Sequence, residues 1–507
     1  MRHLPLFTAL LLGLAGPRVD AAVITVTSNA DVIVNDGSCT LREAINAANT
    51  NLGAAGGECP AGSGADEIRF AIPGSGPQVI MVGSQLPPIT SPVRIDGYSQ
   101  PGASPNTVNT LDGFDADLRI VLDGSQSGPL SKPGLLLIGP GAAGSEIRGL
   151  EIAGFSSQGC CADNGIEIVG PADGVVIAGN ILHNNRSRGV FISRDDASAS
   201  QGIRIGGPLP ADRNLVHSHT AAAGIVLSAC HGCVVENNWV GVRVEAGQPA
   251  AAGNLIGIHS SDNNALTVIR DNWVAASTAE GLSVASASTD ITLSNNLIGG
   301  AFGNRDGVLI VNTNDNLPTF NRLHGNVITG NSRMGVGIFN DRPGNQLIGH
   351  VLQGNRVYAN GALEINLGSE AQPPSDQGVN PNDPGDGDVG PNGMQNYPLL
   401  GAPVQVGPSL HIPYTLDSPA ATYTLEFSFA TQCDPSGHGL QGSMPRDPLA
   451  VEIAQPSGSV TLQPVGAPLS GFVVATATGS EGSSEFSGCS PYTFSLPETV
   501  FEDGFEG

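Results

Sequence analysis

From about Gly134 to Gly368 the chain alternates two short phrases. One is a Gly followed by alternating branched apolar residues, and the other is an Asn followed by a second short apolar run. The Gly phrases begin at Gly165 (GIEIV), Gly189 (GVFIS), Gly224 (GIVLS), Gly257 (GIHS), Gly281 (GLSVA), Gly307 (GVLIV) and Gly335 (GVGIF), with gaps of 24, 35, 33, 24, 26 and 28 residues. Asn180, Asn214, Asn238, Asn272, Asn296, Asn326 and Asn355 interleave with them. A period in the twenties with drifting gaps is the mark of a solenoid, in which no single turn can bury its apolar face alone. Short branched-apolar strands joined by Gly and Asn turns predict a parallel β-coil, with the variable insertions as loops outside it. Asn suits the bends because it tolerates the left-handed conformation, and amides stacked in register can bond from rung to rung. Leu323 to Gly368 shows both phrases twice and contains no helical period. A leucine-rich repeat would need a denser fixed leucine pattern, and a sandwich would need hairpin turns; this stretch has neither.

The flanks read differently. Val23 to Val34 alternates as an opening strand, and Thr40 and Glu43 then stand at capping-box spacing before Leu41, Ala44, Ile45 and Ala48, which share one helical face. Such a helix suits a cap over an exposed sheet end. Residues 22–72 are read as this strand and cap, 73–370 as the parallel β-helix and 371–398 as an acidic Gly/Pro-rich loop. In 399–496, Tyr423, Leu425, Phe427 and Phe429 alternate with Thr424, Glu426 and Ser428, the period of half-buried strands. A C-terminal β-sandwich is expected there, followed by an acidic and aromatic tail, 497–507. The fold class is therefore all-β: a right-handed parallel β-helix with an N-terminal capping helix and a C-terminal sandwich.

Composition narrows the function classes. The 507 residues include 69 Gly and 37 Pro, carry a net charge of −25, and contain Lys132 as the one lysine. That deficit of cations argues against a nucleic-acid partner and against a polyanion held directly by basic side chains. Arg2, the apolar run Leu4 to Gly16 and Val19-Asp20-Ala21 read as a secretory signal over 1–21, and the apolar run is too short to span a bilayer. A secreted or surface-displayed monomer is expected. Its eight cysteines are expected to form disulfides in an oxidising compartment. Cys39 and Cys59 flank the capping helix and are expected to pair; Cys433 and Cys489 are expected to staple the sandwich. Cys160, Cys161, Cys230 and Cys233 are read as inter-rung disulfides of open connectivity.

Cys39-Thr40-Leu41-Arg42-Glu43-Ala44-Ile45 resembles the N-terminal signature of the CSLREA-domain proteins, with Thr40 for the usual Ser. The likeness continues through Asp66 to Phe70, Leu86 to Thr90 and Ile95 to Gly102, and resumes at Asn366 to Tyr397 and Glu485 to Cys489. It implies an exported bacterial protein with pectate-lyase-like parallel β-helix repeats. Because the signature is structural, it implies no catalytic residues. An Asp often stands in that family where this chain has Asn366.

Chemistry is sparse. Asp195-Asp196, after the GVFIS strand and next to Arg194, is the candidate carboxylate pair for cutting a glycosidic bond. Arg204, Arg243 and Arg270 are candidate basic groups whose faces the sequence cannot align, and His183, His217, His219, His231 and His259 are scattered. His217 and His219 offer themselves as ligands. Asp383, Asp386 and Asp388 supply the oxygen donors that calcium prefers, outside EF-hand spacing. The Cys230–Cys233 spacing is half a zinc site without a surrounding redox fold. The expected function is a non-catalytic module binding an extracellular polysaccharide or cell surface. The alternative is a polysaccharide lyase or hydrolase, which requires acidic or basic side chains stacked over adjacent rungs. A third reading is a structural envelope protein.

Overall fold

The computed structural model describes residues 21–495 except 55, 112, 129–131, 157–162, 194–198, 313–316, 341–346, 369–377, 443 and 445. The segment read as a signal, apart from Ala21, and the acidic tail lie outside the described residues.

Strands of two to seven residues wind into three parallel sheets, which together make a right-handed parallel β-helix. Sheet A has eleven strands, from Val23–Val26 to Val351–Gln353. Sheet B has ten, from Gln78–Met81 to Arg356–Tyr358, and sheet C nine, from Leu135–Ile138 to Ile365–Gly368. Register follows the apolar period. Ile24 stacks on Ile68, then on Ile95 and Ile147, and the same inward column runs to Leu323 and Leu352. Its members are at most 3% exposed. A one-residue slip would turn this whole column to solvent, which is why the register is unambiguous.

The Asn column is a hydrogen-bonded ladder. Asn238 donates from its backbone N (2.9 Å) and its Nδ2 (3.0 Å) to Oδ1 of Asn272, and Nδ2 also donates to the Ile205 carbonyl. The same bonds recur from Asn272 to Asn296, Asn296 to Asn326 and Asn326 to Asn355. The left-handed conformation, however, belongs to the residue before the amide at every rung except that of Asn214, where Arg213 has φ −61°. Gly179, Asn237, Asp271, Asn295, Gly325 and Gly354 have φ between 54° and 67°. The bend falls there, so the ladder Asn is free to aim its amide along the helix axis. A second ladder runs from Ser277 through Asn304, Asn331 and Asn360, at the corner between sheets B and C.

Both ends of the coil are closed. At the start lies α1, Leu41–Thr50, whose Thr40–Glu43 capping box forms as expected and whose Leu41, Ala44, Ile45 and Ala48 are buried. Asp31 accepts from Gly83 N and pairs with Arg42 (2.8 Å), while Asn49 Oδ1 accepts from Thr90 N. At the far end three buried glutamates meet the backbone. Glu364 takes the place of the next ladder amide, accepting from Asn360 N and Nδ2. Glu426 accepts from Gly354 N, and Glu485 from Leu367 N and Asn380 N. Burial pushes the Glu364 carboxyl up to about 8 and those of Glu426 and Glu485 to about 7.

Glu426 comes from the C-terminal unit, two four-stranded antiparallel sheets around a core that includes Leu410, Ile412, Leu425, Phe427 and Phe429. The strand Tyr423–Ala430 is buried on both faces rather than half-buried. Its polar face, with Glu426 and Ser428, lies against the end of the coil, and Ala430, Val474 and Phe486 join the coil's own core.

Candidate functional site

Each sheet turns one face outward, and the three faces differ. Sheet A presents a quilt of opposite charges in which Arg94 lies among Glu67, Asp96 and Glu146, and Arg148 beside Asp96 and Glu146. Such exposed pairs contribute little individually. Sheet C turns Leu309, Val311 and Phe339 outward near its end, where they are nonetheless buried with Met334. Sheet B alone lines up acid and imidazole over consecutive rungs.

Those rungs are the strands Leu150–Ala153, Ile181–His183 and Leu215–His217, paired in register so that His183 stands opposite His217. Glu151 Oε1 lies 2.9 Å from His183 Nε2, and the two imidazoles stack with ring centroids 5.1 Å apart. Each histidine ends its strand, and each is followed by a non-glycine residue in the left-handed region, Asn184 (φ 52°) and Ser218 (φ 63°). Both of these turn residues reach back to the preceding ring. Asn184 Nδ2 is 3.0 Å from His183 Nδ1, and Ser218 Oγ is 3.1 Å from His217 Nδ1. With the amide donating to Nδ1, the proton of a neutral His183 sits on Nε2 and points at Glu151. The strained turns thus fix ring orientation, a use of strain common at functional sites.

Burial, with the neighbouring His183, His219 and Arg243, lowers His217 to about 3, so it is a neutral imidazole at ordinary pH. Donation from Nδ1 to Ser218 would leave its Nε2 with a lone pair able to take a proton. One and two rungs further on, Trp239 and Trp273 face outward but are roofed. Phe114 packs at 6.3 Å from Trp239, and Val244 of the hairpin Val242–Glu245/Gln248–Ala251 covers the same cluster. The hairpin and the loop carrying Phe114 therefore form a raised wall beside the partly exposed Glu151 and His183, under which His217 is buried at 8% exposure.

The residues singled out by sequence are distributed as follows. Asp195, Asp196, Cys160 and Cys161 lie outside the described residues. Cys39–Cys59 and Cys433–Cys489 are bonded. Cys230 and Cys233 bond to each other rather than between rungs, because the turn at Gly232 (φ 62°) brings the two sulfurs together within one corner. Both are buried, which removes them from zinc or thiol chemistry. His219 is no ligand: it is fully buried, with Nδ1 on the Asn185 carbonyl and Nε2 on that of Leu182. Arg204 and Arg270 project from sheet A, the latter paired with Glu236, and Arg243 lies on the hairpin with Glu245. His231 bonds the Asn263 carbonyl, and His259 faces outward, half-buried, on sheet C.

Asp383, Asp386 and Asp388 do converge, with one oxygen of each within 4.8 Å of the others. Asp386 already accepts from Asn396 N and Gln395 Nε2, and Asp383 from Gly387 N. Burial and mutual repulsion raise the Asp386 and Asp388 carboxyls above their usual range. No helix among the described residues is long and apolar enough to cross a membrane.

No protein-family model and no curated protein matches the chain. Among solved structures it is similar to the A-module of mannuronan C-5 epimerase AlgE6 from Azotobacter vinelandii, at 16% identity and a TM-score of 0.39 over 59% of this chain and 70% of that one. It is similar to pectate lyase Pel9A at 14% identity and 0.35, over 69% and 78% of the two chains. The Dettilon tailspike protein (gp208) is similar at 13% and 0.36, over 72% of each. These are distant likenesses of fold, and nothing about the sheet B face follows from them.

Proposed function

We propose that this chain is an exported parallel β-helix protein of the CSLREA kind that engages an extended extracellular polysaccharide on the outer face of sheet B. The observation that carries the reading is the Glu151–His183–His217 group on three successive rungs beside the raised hairpin. Rungs advance by about 4.8 Å, so the three groups span roughly 10 Å along the coil, a length suited to neighbouring units of a sugar polymer. The three disulfides among the described residues suit an oxidising compartment, in keeping with a signal over residues 1–21. A glycan array probed with the mature chain tests the reading. At least one polysaccharide should bind, and Glu151→Gln and His217→Ala should each weaken it by ten-fold or more; an array blank for the wild-type chain rejects it.

One observation favours a second reading, catalysis on the bound polymer. His217 is held neutral beside a carboxylate–imidazole pair, the set of groups that general acid–base chemistry uses. The residues would abstract a proton from a sugar carbon or donate one to a glycosidic oxygen. New reducing ends, unsaturated products or solvent deuterium in the recovered polymer would reveal it. Polymer bound but recovered unchanged would leave binding as the activity.

A further inference from the structure

A cleft of about 820 Å³ opens where the last rungs meet the loop from Cys433 to Gln441. We infer that it is a second binding site, for a short, neutral, hydroxyl-rich saccharide. Its solenoid wall is rigid, because Asn331 and Asn360 on that wall are committed to the second amide ladder. The opposite wall is stapled by Cys433–Cys489, and Asp434 is fixed there by Ser436 N and Gln441 Nε2.

Arg333 gives the cleft its chemistry. Its Nε donates to Asp306 Oδ1 at 3.0 Å, and Asp306 is fully buried and shared with Arg305. Arg333 lines the cleft with its side chain 29% exposed, so a guanidinium anchored through Nε offers donors to the cleft. Among the described residues that line the cleft, the one carboxylate is Asp434. Glu364, whose neighbours are Asn360 and Asp434, adds no full charge at neutral pH, since burial holds its proton. One cation and one carboxylate match the accepting and donating sides of sugar hydroxyls, and the net charge of −25 opposes a polyanion. Met334, Ala362 and Leu363 supply an apolar strip for the C–H face of a ring. The volume lies within the range of small-ligand sites and suits an oligosaccharide rather than a long polymer.

Saturation-transfer NMR on the full chain, with cellotriose, maltotriose and chitotriose as probes, tests this. At least one should bind at millimolar concentration or tighter. Arg333→Met should weaken it at least ten-fold, and Ser436→Trp, a change at an exposed loop residue, should block it by filling the cleft. His217→Ala, which removes the outer-face group, should leave the trisaccharide bound, so that failure of the sheet B reading and failure of this one are distinguishable. The inference is overturned if none of the three probes binds, if both cleft variants bind as the wild type does, or if His217→Ala abolishes trisaccharide binding.

Discussion

The two ends of the coil solve one problem with opposite chemistry. Each must satisfy the backbone groups that a parallel sheet leaves open at its edge. At the start an apolar helix covers the core, and the carboxylate that takes an edge N–H, Asp31, is paired with Arg42. At the finish the same duty falls on Glu364, Glu426 and Glu485, and among the described residues none of the three has a cationic partner. Charge at the first end is compensated where it stands, while charge at the second is avoided by keeping the proton. The ends should therefore respond differently to pH.

The largest effect is expected from Glu364→Ala, which strands the buried Asn360 N while its Nδ2 keeps the Ile328 and Tyr358 carbonyls, and should cost on the order of 3 kcal/mol in urea unfolding. Glu364→Gln should be far milder, because the amide oxygen still accepts, and a loss as large as that of Ala would show that the charge itself matters. Breaking the first end by changing Cys39 and Cys59 together to Ser should cost about 3 kcal/mol through the freed loop, equally at pH 5 and pH 8.

The pH dependence of the wild type separates the ends more finely. Folded, the three glutamates keep their protons to about 7 or 8, whereas unfolded they lose them near 4.5. Unfolding between those values releases protons, so stability is full below about 4.5 and falls as pH rises, flattening above 8. Buried His219 and His350 work the other way. They are held neutral down to about 4 and 3 against 6.5 when unfolded, so their contribution is full above 6.5 and falls on acidification. His217, also held neutral down to about 3, makes three histidines that offset the three glutamates between about 4.5 and 6.5. A plateau of stability is therefore expected across that window, and the alkaline slope should shrink in a Glu364→Gln, Glu426→Gln double variant. An unchanged slope would remove the glutamates from the account.

Smaller still, Thr40→Ala should cost about 1 kcal/mol by losing the capping box, with no pH dependence. The smallest effect is proposed for calcium at Asp383, Asp386 and Asp388. One millimolar calcium should add about 1 kcal/mol, lost in Asp388→Asn; identical melting with calcium and with chelator would remove that site.

What could be read in advance follows the same division. The capping helix was legible because it depends on local spacing in one stretch of chain, and the first ladder because one residue type, Asn, recurs in the same phrase on rung after rung. The second ladder was not, since its Asn304, Asn331 and Asn360 are preceded by Ser277 and closed by Glu364, and so give only a short run of one residue type. The sheet B group was hidden for a related reason. Glu151, His183 and His217 are separated by 32 and 34 residues, and whether they share a face depends on how each intervening loop consumes its length. Glu426 read as a solvent-facing residue of an alternating strand, and only docking of the sandwich on the coil buries it.

The second amide ladder has a direction, since every rung hands its N–H to an oxygen supplied by the next. Repetition of that kind contains no instruction to finish, and a further turn could always be added. Glu364 ends it by supplying the acceptor from four residues further along the same turn, so that no further rung is called on. The position of one carboxyl thus acts as punctuation: it says how many turns this corner of the coil will have.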